Sequence, residues 1–150
     1  MPLRDVPLPN LMKARMDSGQ VAVGMIVRLM RSVEIAAIAH SAGFDCLYID
    51  LEHCTFSLES VSQICMMVRV AGLDPAEISR TLEAGAQGII IPHLDTAEDA
   101  RRAVQAAKFP PLGQRSLLAM NPHTLFRGGP AAEVMAKMNG ATLVVGMIES

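Results

Sequence analysis

The sequence predicts an α/β fold in which short parallel strands alternate with helices. Apolar runs of strand length alternate with amphipathic stretches along the chain, which is the pattern of successive βα units. The run Gly88–Ile91 has no polar face, as expected for a parallel strand that is covered on both sides. Since the chain has 150 residues and is 51% apolar, we expect one core and a single domain spanning residues 1–150.

The first half of the chain is predicted to contain three strands and two helices. The first helix ends at Gly43, and the hydroxyl of Ser57 can cap the second by accepting a hydrogen bond from a first-turn amide. The predicted strands cover residues 21–25, 46–50 and 67–70, and the helices run from about residue 32 to 40 and from the Ser57 cap through residue 64.

The second half is predicted to add two strands and three helices. Asp74 supplies an acidic cap, Pro75 occupies the first helical position and Glu77 the third, so a helix begins there. Gly85 ends that helix, and Thr96 caps the next one. The predicted strands cover residues 88–91 and 143–148, and the helices cover residues 75–84, 97–107 and, after a long irregular stretch, about 131–138.

Five strands of this kind fit either the start of a barrel or an open sheet. A closed (β/α)8 barrel needs roughly 200 to 250 residues, so this chain is too short to complete one. A doubly wound open sheet would fit the length, but the first strand lacks the GxGxxG motif of a dinucleotide site.

Composition argues against several classes of partner. The net charge is −2 and no Lys/Arg cluster is present, so nucleic acid and anionic membranes are poor partners. No apolar run approaches the roughly 18 residues of a membrane span, and the opening residues lack the apolar core of a signal peptide. We therefore expect a cytoplasmic protein. Cys46, Cys54 and Cys65 form no CxxC motif, so we expect buried thiols.

Polar residues collect where predicted strands end, the edge at which α/β active sites form. A buried guanidinium such as Arg69 is costly unless paired, so it either forms an ion pair with Glu83 or Asp50 or holds an anionic substrate. Structural roles are the alternative for every member of the set, and for His93 we favour that role. The set comprises Asp50, Glu52, His53, Arg69, His93, Asp95 and Glu149.

The stretch Ala42-Gly-Phe-Asp-Cys-Leu-Tyr-Ile-Asp-Leu-Glu-His53 resembles the signature of HpcH/HpaI aldolases. Further matches follow in the family's order. They are Asn10 with Lys13, Val68-Arg69, Leu82-Glu-Ala-Gly-Ala-Gln-Gly-Ile-Ile-Ile-Pro92, Thr96-Ala-Glu-Asp-Ala100, Phe109-Pro-Pro-Leu-Gly-Gln-Arg115 and Met147-Ile-Glu149. The resemblance therefore covers essentially the whole chain.

The resemblance implies a TIM (β/α)8 barrel, of which this chain carries about the first five βα units, and a homo-oligomer, usually a hexamer. It implies reversible cleavage of 4-hydroxy-2-oxo acids to pyruvate and an aldehyde, with a divalent cation (Mg, Mn or Co) as cofactor. Carried over by residue, His53 is the base, Arg69 stabilises the enolate, Asp50 lines the site and Glu149 is a metal ligand. A cation and a guanidinium would lower the cost of charge developing on the keto oxygen.

The chain also departs from the family pattern. Glu83 stands where the family commonly places the aspartate that raises the basicity of the catalytic histidine, and Met147 stands where many members have a pyruvate-binding glutamine. The connection between Ile64 and Met67 is short for a parallel crossover, so we expect the third strand to be poorly seated. Because the family's second acidic ligand lies beyond the position of Ser150, the alternative is a truncated, inactive homologue that acts at most as an interaction subunit.

Overall fold

The computed structural model describes residues 10–64, 67–118 and 120–149. Within them, five parallel strands form one sheet in the order β1-β2-β3-β4-β5. A doubly wound sheet would reverse its strand order partway across, whereas each strand here pairs with the next strand along the chain. This is the order of the first five strands of a (β/α)8 barrel, as predicted. The strands are β1 (Gly24–Val27), β2 (Cys46–Asp50), β3 (Met67–Arg69), β4 (Gly88–Ile91) and β5 (Leu143–Gly146).

Helices connect these strands, and the cap residues predicted their starts well. The Asp74 side chain accepts from Ala76 N, and Thr96 forms a reciprocal capping box with Asp99. Gly85 follows its helix with a φ of 108°, a conformation that glycine tolerates best. The helices are α1 (Leu11–Asp17), α2 (Glu34–Ser41), α3 (Leu58–Ile64), α4 (Pro75–Glu83), α5 (Ala97–Ala107) and α6 (Ala131–Ala141), with a 3-10 turn at Pro122–Thr124.

The expectation of a poorly seated third strand is wrong. Met67 pairs with Tyr48 of β2 on one side and with Gly88 of β4 on the other, and Arg69 pairs with Asp50. A side chain on Gly88 would collide with Met67, so glycine allows the two strands to pack closely here. Residues 65 and 66, where the connection is short, lie outside the described residues.

The first strand begins three residues later than predicted, for a local reason. The backbone N–H of Val23 donates to the Asp45 carboxylate over 2.9 Å, and the Val23 carbonyl accepts from Asp45 N over 2.8 Å. These bonds hold the residues before β1 against the turn that precedes β2. Val21 is consequently exposed rather than part of a buried strand.

One face of the sheet packs on the helices. The β2 side chains Leu47 and Ile49, with Val68 of β3, form a core with α2 and α3, and Ile89 and Ile91 of β4 form another with α4 and α5. Because side chains alternate along a strand, the residues between them point to the opposite, inner face. The inner face therefore carries Tyr48, Asp50, Met67 and Arg69.

The helix α1 was not predicted, and the side chain at its N-cap helps to attach it to the sheet. The Asn10 carboxamide accepts from Lys13 N and donates to the carbonyls of Gln87 and Ala141, over 3.1 and 2.9 Å. These bonds join α1 to the beginning of β4 and the end of α6. None of the described helices is both long and apolar enough to cross a membrane.

Candidate active site at the carboxyl ends of the strands

Three charged side chains form a row across the first three strands. Asp50 ends β2 and is in register with Arg69 of β3, while Val27 pairs with Ile49, so Arg28 directly after β1 lies beside Asp50. All three are on the inner face at the carboxyl edge of the sheet, where α/β active sites form. Strand register thus places one carboxylate between two guanidinium groups.

Asp50 is the centre of this row and is fully buried. Arg69 Nε donates to its Oδ1 over 3.0 Å and Nη2 to its Oδ2 over 2.6 Å. Arg28 Nε and Nη2 both donate to Oδ2, and the backbone N–H groups of Glu52 and His53 donate to Oδ1. Burial alone would raise the pKa of Asp50, but these hydrogen bonds outweigh it and hold the pKa well below its usual range.

The row continues through Glu52 toward the last strand. Arg69 Nη1 lies 3.0 Å from Glu52 Oε2, as an ion pair without hydrogen-bond geometry. His93, which follows β4, places Nε2 3.1 Å from Glu52 Oε1 and Nδ1 3.3 Å from Glu149 Oε2. From β1 to the residues after β5, charged and titratable groups therefore alternate along the whole edge; we call the series Arg28, Asp50, Arg69, Glu52, His93 and Glu149 the strand-end row.

His53 lies beside the row and is open to solvent. Its backbone is fixed on Asp50, whereas its imidazole is 58% exposed and has Nε2 3.9 Å from Glu52 Oε2. A histidine with this exposure can meet a ligand that approaches the strand edge. The structure thus brings together six of the seven predicted strand-end residues: Asp50, Glu52, His53, Arg69, His93 and Glu149.

Glu83 lies elsewhere. It is the last residue of α4, and a short turn joins it to the amino end of β4, so it is at the opposite edge of the sheet from His53. Its Oε1 accepts from Arg115 Nη2 over 2.7 Å, and the Arg115 guanidinium stacks on the Phe109 ring. Within one chain Glu83 therefore braces the irregular segment after α5 and makes no described contact with His53.

Met147 extends the pairing of the last two strands beyond β5. Its N–H donates to the Ile91 carbonyl over 2.9 Å and its carbonyl accepts from Leu94 N over 3.0 Å. These bonds hold the segment that carries Glu149 next to the segment that carries His93. The backbone of Met147 thus helps to place the end of the strand-end row.

Sequence reasoning missed Arg28 and assigned His93 a structural role. Arg28 directly follows β1 in the structure. The predicted first strand ended at residue 25, so Arg28 was not identified as a residue at a strand end. His93 adopts a φ of 55°, a left-handed conformation that is uncommon outside glycine and often found at functional sites. The signal available in the sequence was a titratable residue directly after the Ile91-Pro92 strand end.

The described residues supply part of a possible cation site. Among residues 10–64, 67–118 and 120–149, no group of three His, Cys, Asp or Glu side chains is arranged to hold a metal ion. Glu149 and Glu52 nevertheless bring two carboxylates to one histidine, and Glu52 Oε2 is buried without a hydrogen bond from the described residues. Since Mg²⁺ is commonly held by only one or two carboxylates, with water and substrate oxygens completing its shell, the oxygen donors of Glu149 and Glu52 are of the chemical type that a hard divalent cation takes.

Comparison with known proteins points to one family. Residues 25–150 match the family described as HpcH/HpaI aldolase/citrate lyase. The chain is 37% identical to 4-hydroxy-4-methyl-2-oxoglutarate aldolase tasA of Hapsidospora irregularis over 97% of its length and 58% of that protein. It is 31% identical to 2-keto-3-deoxy-L-rhamnonate aldolase of Escherichia coli K12 over 95% of its length and 56% of that protein.

A solved structure agrees with the sequence comparison. The HpcH/HpaI aldolase from Desulfitobacterium hafniense DCB-2 superposes with a TM-score of 0.86 and 27% identity, over 94% of this chain and 57% of that one. The chain therefore spans somewhat more than half the length of the relatives that it matches.

Proposed function

The chain belongs to the HpcH/HpaI aldolase/citrate lyase family, and from this premise we propose that it carries the catalytic edge of a metal-dependent aldolase. The proposed reaction is reversible cleavage of a 4-hydroxy-2-oxo acid to pyruvate and a second carbonyl compound. The observation that carries the proposal is the strand-end row, in which Arg69 contacts Glu52 and His93 links Glu52 to Glu149. The exposed imidazole of His53 lies beside Glu52.

In the cleavage direction, the bond between C3 and C4 breaks. We propose that His53 accepts the proton of the C4 hydroxyl, so that C4 becomes a carbonyl carbon and the electron pair of the broken bond passes to C3. Negative charge then develops on the C2 keto oxygen, which the Arg69 guanidinium stabilises. Return of the proton to C3 gives the methyl group of pyruvate and balances the reaction.

Asp50 supports both residues without contacting the substrate in this scheme. It fixes the Arg69 guanidinium through two hydrogen bonds and holds the backbone of His53 through a third. Because hydrogen bonding to Asp50 raises the pKa of Arg69 against the effect of its burial, the guanidinium stays charged at the strand edge. Asp50 is therefore a positioning residue for the base and for the charge-stabilising group.

A divalent cation, Mg, Mn or Co, completes the proposal. Glu149 is the ligand we propose, and Glu52 is a second carboxylate that is available to the ion or to its water molecules. When bound there, such an ion would supply Lewis-acid polarisation of the keto oxygen of a 2-oxo acid. Pyruvate and its partner carbonyl compound are the proposed ligands, and we propose a cytoplasmic homo-oligomer. Glu83 could orient His53 only from a second copy of the chain, since it lies at the opposite edge within one copy.

The test is pyruvate release from 4-hydroxy-2-oxoheptanedioate by the purified protein, with Mn²⁺ and after chelation of metal. We expect metal-dependent release, and we expect His53→Ala to abolish it while pyruvate still binds. His40→Ala is the control, because His40 lies at the far end of α2 and should leave turnover unchanged. A folded protein that releases no pyruvate from this substrate, from 4-hydroxy-4-methyl-2-oxoglutarate or from 4-hydroxy-2-oxovalerate with any of the three metals would contradict the proposal, and full turnover in His53→Ala would remove the assigned base.

A further inference from the structure

The two guanidinium groups that bind Asp50 differ in their exposure and in how many of their nitrogens have a partner. Arg69 has only 9% of its side chain exposed, and all three of its nitrogens contact Asp50 or Glu52. Arg28 has 48% of its side chain exposed, and both of its bonds converge on one oxygen, Asp50 Oδ2. Within the described part of the chain, Arg28 Nη1 makes no hydrogen bond or ion pair.

Burial of Asp50 does not require Arg28. Arg69 already binds both carboxylate oxygens, and two backbone N–H groups add further hydrogen bonds. The second guanidinium, that of Arg28, is half-exposed. It therefore has N–H donors at the strand edge that the burial of Asp50 does not require. Guanidinium groups with a free side recognise carboxylates well, because their planar donors match the two oxygens.

The position of Arg28 defines which part of a substrate it could meet. It follows β1, two strands away from Arg69, and neighbouring strands are about 4.8 Å apart. Both guanidinium groups face the inner side, and Arg28 lies at the end of the strand-end row opposite Glu149. A substrate whose keto oxygen is at Arg69 and whose 2-oxo acid head points toward Glu149 extends its C4 end toward Arg28.

Arg28 is the partly exposed cation of the row, because Arg69 is buried against Asp50 and Glu52. A carboxylate on the C4 side of a substrate would therefore meet a charged donor at Arg28.

We propose that Arg28 binds a carboxylate carried on C4 of the substrate, so that the second product is a 2-oxo acid rather than a neutral aldehyde. The inference rests on the proposed aldolase function, which places the keto oxygen at Arg69. The C4 carboxylate stays attached when the C3–C4 bond breaks, and the C4 hydroxyl loses its proton to become the keto group. Arg28 thus determines which second carbonyl compound the site releases in cleavage or takes up in the reverse reaction.

A neighbouring arginine provides a matched control. Arg31 lies in the same segment after β1, but its Nη2 donates to the Thr55 carbonyl and hydroxyl, and its guanidinium stacks on the Phe56 ring. It has the same charge as Arg28 and makes no described contact with the strand-end row. Arg31→Gln therefore removes one positive charge near the site without removing the proposed contact.

Binding of two unreactive analogues separates the C4-side contact from turnover. 2-Oxoglutarate and 2-oxopentanoate share the 2-oxo acid head and the carbon chain, and only the first carries a distal carboxylate. We expect the Mn²⁺-loaded full-length protein to bind 2-oxoglutarate roughly 10- to 100-fold more tightly, as for one charged hydrogen-bonded pair. Arg28→Gln should remove this preference, Arg28→Lys should retain part of it, and Arg31→Gln should keep it. Equal affinities in the wild type, or an unchanged preference in Arg28→Gln, would overturn the inference.

Turnover then distinguishes this inference from the proposed function. With 4-hydroxy-4-methyl-2-oxoglutarate and 4-hydroxy-2-oxovalerate as substrates, Arg28→Gln should lower kcat/KM roughly 10- to 100-fold for the first and less than threefold for the second. Equal losses on both substrates would overturn the role of Arg28 and leave the aldolase function standing. If the wild type cleaves neither of them nor 4-hydroxy-2-oxoheptanedioate, the aldolase function fails, and the binding preference still decides whether Arg28 recognises a carboxylate.

Discussion

Replacing Asp50 with asparagine removes the charge at the centre of the strand-end row while keeping its shape. The asparagine oxygen can occupy the place of Oδ1, where it accepts from Arg69 Nε and from two backbone N–H groups. Its amide nitrogen then takes the place of Oδ2, which accepts three N–H groups from Arg69 and Arg28. The substitution thus places the asparagine NH2 group, a hydrogen-bond donor, against three guanidinium N–H donors inside a buried cluster.

The expected cost follows from burial. Removing one partner of a buried ion pair costs about 3–5 kcal/mol, because it leaves a charge without compensation. Arg69 keeps Glu52 as a counterion and can keep its Nε bond to residue 50, but it loses the Nη2 bond and the negative charge of Asp50, whereas the more exposed Arg28 can turn to water. We therefore expect Asp50→Asn to lower the free energy of unfolding by about 3 kcal/mol or more, and Tm by roughly 6–12 °C for a chain of this size.

Urea unfolding followed by circular dichroism at pH 7 measures this loss. Asp17→Asn is the control, since Asp17 forms an exposed pair with Lys13 on α1 and should change stability by less than about 1 kcal/mol. Because the folded-state pKa of Asp50 is depressed, its contribution is present above the unfolded value of about 3.9 and is lost as pH falls through the lower folded value. The difference between wild type and Asp50→Asn should therefore shrink below about pH 4. A loss under 1 kcal/mol at pH 7 would refute the account of Asp50 as the buried centre of the row.

Three further substitutions test other parts of the structure. Gly88→Ala should lower the free energy of unfolding in urea by about 1–3 kcal/mol, because the new Cβ would lie 2.9 Å from Leu143 Cβ. Gly140→Ala is the control: a Cβ there has nothing within 4 Å, so the substitution should be neutral or stabilising by up to about 1 kcal/mol. Equal effects at both positions would contradict this packing. Burial lowers the pKa of His123 although its bond to an α4 carbonyl opposes the shift, so wild-type stability should fall as pH drops through about 6.5. His123→Gln should flatten the stability profile between pH 7 and 5, and an unchanged slope would exclude His123 as its source. Glu149→Gln should weaken Mn²⁺ binding in calorimetry at least tenfold with little change in Tm, and unaltered affinity would remove Glu149 as the ligand.

Elements with local signals were predicted well from the sequence. The bounds of β2, β4 and α5 agree with the prediction, because apolar runs and the Thr96 cap are properties of neighbouring residues. The helix α1 was missed because it has only seven residues and none of them is buried, so it offers no long amphipathic pattern to detect. Its attachment through Asn10 depends on carbonyls that are 77 and 131 residues away in the chain.

The sequence predicted which residues of the candidate site lie at strand ends, but not which of them contact one another. Asp50, Arg69 and Glu149 follow or end apolar runs, and parallel strands bring such ends to one edge. Which carboxylate pairs with Arg69 was left open between Glu83 and Asp50, because that choice depends on the register of β2 and β3. The joining of Glu52 to Glu149 through His93 depends likewise on contacts between distant loops.

The strand-end row also constrains how the sheet can assemble. A slip of one residue between β2 and β3 would turn Arg69 to the helix-covered face, since side chains alternate along a strand. Asp50 would then lose its main partner, and a guanidinium would enter the apolar core. Misaligned sheets are therefore disfavoured by electrostatics as well as by packing, so the charges of the proposed site also help to select the correct strand register.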